Sequence, residues 1–339
     1  MVDLDWKNLP FGYIKTNYNV RCYYRNGAWG ELEISSSETI DLHMAATALH
    51  YGQEAFEGLK AYKGKDGRIR LFRVEENAKR MALTAAYIRM AQPPVDLFVK
   101  AVKTVVNLNK EFVPPYESGA TLYVRPLLIG SGAQVGVKAA DEFLLVMFVT
   151  PVGPYYKQGL SPIDAVIERQ TDRAAPLGTG HIKVGGNYAG SLPAQDRAHD
   201  LGYSVAIYLD AREKKYIDEA GTANFFGIKN NTYITPDSHS ILPSITNKSL
   251  MQLAEHLGMK IERRHIAVDE LDTFEETGAC GTAAVISPFN KIDDLENKKS
   301  YKYCSECEPG PVCLKLYENL TGIQYGNLPD IFNWVSYID

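Results

Sequence analysis

Apolar residues recur at two different spacings along the chain, and the change from one to the other marks out its elements. Between Glu75 and Met90, and again between Val95 and Phe112, they fall at helical intervals, so two helices buried along one face are expected there. Pro93-Pro94 and Pro114-Pro115 punctuate their ends. Thr121 to Ile129 and Glu142 to Val152 carry no helical period, and their strand-forming residues predict central strands. Ahead of the helices, Lys60-Ala61-Tyr62 and Arg68 to Phe72 flank a Gly- and Lys-rich stretch with Asp66-Gly67 in the turn, the signal of a hairpin.

From Pro154 to about Gly186 the texture changes to Gly, Pro, Lys and Arg around a short apolar run, Ala165-Val166-Ile167, and a domain junction is expected near 155 to 170. Beyond it the pattern predicts a helix from about Tyr188 to Leu201, a strand at Ser204 to Leu209, a turn at Asp210 to Lys214, short strands up to Pro236 and a helix after Ser244. Strands outnumber and interleave with helices without a regular β-α-β alternation. That favours an α+β fold with two mixed sheets over a doubly wound parallel one.

A length of 339 residues suits roughly two domains, and 45% apolar with 23% charged residues excludes disordered and fibrous classes. Thirty-six basic against 41 acidic residues leave a net charge of −5 with both signs dispersed, so no nucleic-acid surface is expected. The longest apolar run, Phe143 to about Val152, is far short of the ~20 residues that span a bilayer, and no membrane partner is expected. Met1 to Trp6 carries acidic residues where an export signal has basic ones, which predicts a cytoplasmic protein. The five cysteines are odd in number and irregularly spaced, so reduced thiols are expected. Cys304, Cys307 and Cys313 offer three thiolates and no histidine, one donor short of a structural zinc site, and no metal is expected.

Four segments and one helical arginine could carry chemistry. Lys183 stands among glycines in Gly178 to Tyr188, where backbone can approach a ligand and a desolvated amine could attack a carbonyl; an exposed loop lysine is the alternative. Glu219 ends a strand before Ala220-Gly221-Thr222, and if buried needs a partner such as a protonated pyridine nitrogen; a solvent-facing turn acid is the alternative. Leu242-Pro243-Ser244-Ile245-Thr246 opens a helix and Gly281-Thr282-Ala283-Ala284 a turn, so both are candidate anion cradles, although Ser244 could be an ordinary N-cap. Arg80, on the first helix, could reach a phosphate or face solvent.

In order along the chain, Lys183-x-Gly-Gly-Asn-Tyr, Glu219-x-Gly-Thr-x-Asn, Leu-Pro-x-Ile-Thr246 and Gly-Thr282-Ala are joined by His50-Tyr51-Gly-Gln-Glu-Ala-Phe56-Glu57-Gly58, Tyr123-Val-Arg125-Pro126 and Val135-Gly136-Val137. With these motifs the sequence resembles the branched-chain amino acid aminotransferases, fold-type IV pyridoxal phosphate enzymes, from about Phe11 to Tyr325. The resemblance implies a two-domain α+β architecture with mixed sheets. A small N-terminal α/β domain would cover 1–160, a linker 161–180 and a larger C-terminal α/β domain 181–339, with the cofactor between the two domains. It implies reversible transfer of the amino group of L-leucine, L-isoleucine or L-valine to 2-oxoglutarate, giving L-glutamate and the branched 2-oxo acid.

By the same resemblance Lys183 carries pyridoxal 5'-phosphate as an internal aldimine and then shuttles a proton, Glu219 keeps the pyridine nitrogen protonated, and Tyr188 bonds the phenolic oxygen with Thr222 near that edge. Arg80, Ile245, Thr246 and Thr282 hold the phosphate. Phe56, Tyr123 and Tyr155 wall an apolar pocket, the Thr282-Ala283 turn offers N–H groups to the α-carboxylate, and Arg125 takes the second carboxylate of 2-oxoglutarate or glutamate. Tyr51, Val135 and Val137 would serve the site of a neighbouring chain, so a homodimer is implied. Phe11 and Tyr13 lie near an N-terminal aromatic pocket position of the family, across an insertion, and no role is carried over. Ala284 and Ser287 stand where some vertebrate members have a Cys-x-x-Cys switch, so no redox regulation is implied.

D-amino-acid aminotransferases and aminodeoxychorismate lyases share the cofactor residues; Tyr123-Val-Arg125-Pro126 and Phe56-Glu57-Gly58 favour the branched-chain enzyme. A non-catalytic protein on the same scaffold would need to have lost Lys183, which is present with Glu219 and Tyr188.

Overall fold

The computed structural model describes residues 4–154, 160–304 and 308–338. It divides into two compact units, one formed by Met1–Tyr155, Ile182–Gly185 and Gly322–Asp339, the other by Tyr156–His181 and Gly186–Thr321.

The first unit is built on a nine-stranded sheet ordered Val335–Tyr337, Ile69–Phe72, Leu59–Lys63, Thr121–Gly130, Phe143–Val152, Asn19–Arg25, Ala28–Trp29, with Glu33–Ser35 on Asn19–Arg25 and Glu54–Phe56 on Thr121–Gly130. Its neighbours pair antiparallel, and the two long central strands run in register from Thr121 opposite Val152 to Gly130 opposite Phe143. Leu122, Val124, Leu128, Leu145, Met147 and Val149 turn to one face and pack with residues of two helices, Val74–Tyr87 and Val95–Leu108. Those helices present Val74, Ala78, Met81 and Ala85, and Phe98, Ala101, Val102 and Val105, at the expected helical spacing. Tyr123, Arg125, Leu127 and Ile129 alternate to the opposite face. Ala55 also packs in the helix-covered core, which turns Glu54 and Phe56 to the same face as Arg125.

The second helix ends at Leu108 and tightens into a 3-10 turn at Lys110–Phe112, earlier than the sequence pattern suggests. Buried Asn109 accounts for this. Its Nδ2 donates to the carbonyls of Val105 and Tyr18 at 2.8 and 2.9 Å while its Oδ1 accepts from the N–H groups of Asn17 and Tyr18.

In the second unit a mixed sheet runs Ile217–Ala220, Val205–Leu209, Ile163–Glu168, Val285–Asp294, Glu276–Gly281, Ala223–Lys229, Thr232–Pro236, Lys260–Arg264, with Lys299–Lys302 on Val285–Asp294. Ile217–Ala220 also pairs with Ala223–Lys229, which closes six strands into a barrel and removes their edges. Ala165, Ile167, Ile207, Leu209, Ile217, Phe225, Phe289 and Ile292 form its core. Ile163–Glu168 runs parallel to both its neighbours and is covered on both faces, Val166 packing with Ala198 of the helix Leu192–Asp200. A strand buried on two sides has apolar residues at consecutive positions, which is why Ala165 to Ile167 stands as an island in the texture of a junction.

The helix expected from Tyr188 to Leu201 is two helices, Gly185–Ala189 and Leu192–Asp200. Pro193 has no N–H to give the carbonyl of Ala189, so the first helix cannot continue through it. No helix among the described residues is long and apolar enough to cross a membrane, and no group of three His, Cys, Asp or Glu among them could hold a metal ion.

Candidate active site

In the first unit Lys183 is seated by its backbone. Its carbonyl accepts from the Phe56 N–H at 3.2 Å and its own N–H donates to Thr84 Oγ1 at 3.1 Å. Two residues on, the Gly185 N–H donates to Glu54 Oε1 at 2.6 Å. The Lys183 Nζ then lies 4.7 Å from the centre of the Phe56 ring, a cation on an aromatic face. Arg125 shares that ring, its Cζ 5.0 Å from Phe56 and 5.2 Å from Tyr123. Its Nη2 donates to the Tyr123 hydroxyl at 3.1 Å, while its buried Nε has no hydrogen-bond partner among the described residues. Phe11, left without a role by the sequence, packs edge-on against Tyr123 at 5.5 Å.

Glu57 is fully buried and takes a bidentate pair from Arg80, Nε at 2.7 Å and Nη2 at 2.8 Å, together with Asn77 Nδ2 at 2.8 Å. Burial by itself raises such a carboxyl, but the Arg80 charge and bonds, the Lys183 charge and Asn77 outweigh it and hold Glu57 below the usual range. Arg80 is therefore not on a solvated face. Its guanidinium is fixed by a carboxylate the sequence reading gave no role.

In the second unit three of the candidate segments meet at one end of the barrel. Glu219 lies opposite Asn224, and Asn224 opposite Cys280, so the tight turn Gly221-Thr222 and the turn Thr282 to Ala284 stand side by side. Gly221 takes φ +58, which a two-residue turn between Ala220 and Ala223 requires. Val285, closing the neighbouring turn, is held at φ +67, a strained backbone for a β-branched residue. Asn224 Nδ2 also donates to the Leu242 carbonyl at 3.0 Å, which draws the start of the helix Ile245–His256 to the same end. Ser244 is an N-cap, accepting from the Asn247 N–H at 3.2 Å, and the first helical N–H groups, those of Ile245 and Thr246, remain as anion donors.

Glu219 is 1% exposed and already partnered: Arg173 Nε approaches Oε2 at 2.6 Å, while Asn224 Nδ2 at 3.0 Å and the Leu242 N–H at 2.7 Å reach Oε1. A buried carboxylate that accepts from a cation and from amides has the acceptor chemistry that a protonated pyridine nitrogen requires. Asn247 bonds Asn224 in turn at 3.2 Å and accepts from the buried Tyr233 hydroxyl at 2.7 Å. Tyr188 is half-buried, Thr222 exposed and Thr282 and Ala283 half-buried. Tyr155 and Cys307 lie outside the described residues. Cys22, Cys280, Cys304 and Cys313 are free thiols.

Sequence reasoning passed over Arg173, Asn224, Asn247, Glu54 and Glu57 as site residues. Asn224 sat inside a quoted motif; Arg173 left only the general signal that a buried carboxylate requires a cation.

An apolar ring beside an anion-ready arginine, a seated lysine, a buried carboxylate and a helix start with free N–H groups are the parts of a pyridoxal phosphate transaminase. The family model for class IV aminotransferases matches residues 54–292, and the chain belongs to that family. It is 49% identical to the branched-chain-amino-acid aminotransferase of Haemophilus influenzae over 100% of both chains, and 47% identical to that of Helicobacter pylori over 98% and 97%. The solved branched-chain amino acid aminotransferase of Escherichia coli superposes with a TM-score of 0.80 at 26% identity, covering 96% of this chain and 100% of that one. The T.th. branched-chain amino acid aminotransferase, solved with pyridoxamine 5'-phosphate, gives 0.79 at 25% identity, with 96% and 100% covered. The α+β expectation stands, and the chemistry of this chain is pyridoxal phosphate-dependent transamination.

Proposed function

We propose that this chain reversibly transfers the amino group of L-leucine, L-isoleucine or L-valine to 2-oxoglutarate, giving L-glutamate and the branched 2-oxo acid. The observation that carries this reading is the shared Phe56 ring. An apolar surface that suits a branched side chain stands against Arg125, whose Nε, without a partner among the described residues, suits the second carboxylate of glutamate.

Bound pyridoxal 5'-phosphate supplies a carbonyl for the amino group and an electron sink. Lys183 provides the nucleophilic amine and afterwards carries the proton that leaves the substrate Cα, its seat fixed by Phe56, Thr84 and Glu54. Glu219 holds the proton on the ring nitrogen, and Arg173 and Asn224 keep the carboxylate aimed. Tyr188 and Thr222 bond the phenolic edge. Arg80, Ile245, Thr246 and Thr282 hold the phosphate, the helix start through its N–H groups. The Thr282-Ala283 turn donates to the α-carboxylate, while Phe56, Tyr123 and Tyr155 exclude water from the side-chain pocket.

Val135 and Val137 are 84% and 86% exposed and Tyr51 43%, with the Tyr51 hydroxyl donating to the Val135 carbonyl. Apolar residues this open support a homodimer in which they serve the neighbouring chain's site.

Visible absorbance tests the chemistry. The purified protein with pyridoxal phosphate should be yellow, and L-leucine alone should discharge that band as the pyridoxamine form appears. A yellow protein that answers to D-alanine and not to L-leucine would overturn the substrate assignment, and wild-type turnover by Lys183→Ala would overturn the role of the lysine.

A further inference from the structure

Glu54 is a carboxylate on the working face of the first sheet with no part in the scheme above beyond its bond to Gly185. It lies opposite Ile129 and Phe56 opposite Leu127, so Glu54, Phe56, Arg125 and Tyr123 project from the same side of two paired strands. Phe56 has Lys183 and Arg125 on its ring; Glu54 is the acid two residues before it. The Gly185 N–H fixes Glu54 Oε1 at 2.6 Å, so this anion does not swing away into solvent. Burial raises the Glu54 carboxyl, and the Gly185 N–H and the Arg125 charge pull it back. Arg125 meanwhile makes no ion-pair contact with any described carboxylate and spends one N–H on a neutral hydroxyl. A fixed anion on the same sheet face as such a cation repels an incoming carboxylate and reduces the pull that the arginine exerts on it.

We infer that Glu54 is a specificity-determining residue, setting how strongly Arg125 takes the distal carboxylate of a dicarboxylic substrate relative to an apolar side chain. The inference rests on the reading of Arg125 as the acceptor of that carboxylate. An unopposed arginine would bind 2-oxoglutarate and glutamate so well that branched substrates would compete poorly for one pocket. Glu54 brings the two classes closer together.

Glu54→Gln tests this in the full-length holoenzyme, since glutamine keeps an acceptor for the Gly185 N–H and loses the charge. Two non-reacting acids, glutarate and 4-methylvalerate, differ in the distal group and are titrated by calorimetry. Glutarate should tighten by roughly three- to tenfold, less at high salt, with 4-methylvalerate within about twofold of wild type. The KM for glutamate should fall relative to that for leucine, and Glu54→Asp, which keeps the charge, should return both ratios toward wild type. Should Glu54→Gln not fold, Glu54→Ser makes the same comparison. Equal changes for both acids would overturn the inference, because Glu54 would then act only through the seat of Lys183. Unchanged glutarate binding in Glu54→Gln, with weakened glutarate binding in Arg125→Met, would overturn it while leaving Arg125 as the acceptor. Unweakened glutarate binding in Arg125→Met would remove the reading beneath it.

Discussion

Glu219 and Glu57 are carboxylates taken out of water, and each is held by an arginine and an amide: Arg173 with Asn224, Arg80 with Asn77. Removing one partner of a buried pair strands the other charge, so Arg173→Met should cost about 3 kcal/mol in chemical denaturation. The double variant Arg173→Met, Glu219→Gln should recover part of that loss; a cost below about 1 kcal/mol for the single variant, on the order of an exposed pair, would show Glu219 to be solvated. Lys60 is a buried cation. Burial lowers its pKa from 10.5 to about 8. Below pH 8 the folded chain bears a buried charge. Between about 8 and 10.5 the unfolded chain binds more protons than the folded one, so stability rises with pH across that window and is lost again as pH falls through 8. Denaturation of wild type and Lys60→Met over pH 7 to 10 should show the steeper rise in the wild type, and parallel curves would contradict it.

Elements whose boundaries are set by local chemistry were readable. The hairpin Leu59–Lys63 to Ile69–Phe72 forms around Gly67, which takes φ +79, and the strands Thr121–Gly130 and Phe143–Val152 form where β-branched and aromatic residues cluster. Boundaries set by a distant partner were not. The helix Val95–Leu108 stops where Asn109 turns to serve Asn17 and Tyr18, residues far away in sequence. Asn109→Ala should therefore cost about 2 to 4 kcal/mol, because the buried Val105 carbonyl, the partly buried Tyr18 carbonyl and two N–H groups lose their partner at once. Amide hydrogen exchange should rise both at the end of that helix and at Asn17 and Tyr18; a rise confined to the helix would refute the link.

At the scale of the molecule, barrel closure gathers Glu219, Thr222, Thr282 and the start of the helix Ile245–His256 at one end, and the exposed Val135 and Val137 form the other feature with a consequence. If they belong to a subunit interface, Val137→Asp should shift sedimentation toward the monomer and lower kcat together with it, whereas an active monomer would disprove the shared site. The sequence by itself determined the class of chemistry, since the short motifs around Lys183, Glu219, Thr246 and Thr282 stand in order along the chain and the family model for class IV aminotransferases spans them. Pairing between charges was decided only by the tertiary structure. Strand register puts Glu54 on the face of Arg125, and packing brings Arg173 to Glu219 and Arg80 to Glu57, because electrostatic energy depends on distance and burial in space and leaves no period along the chain.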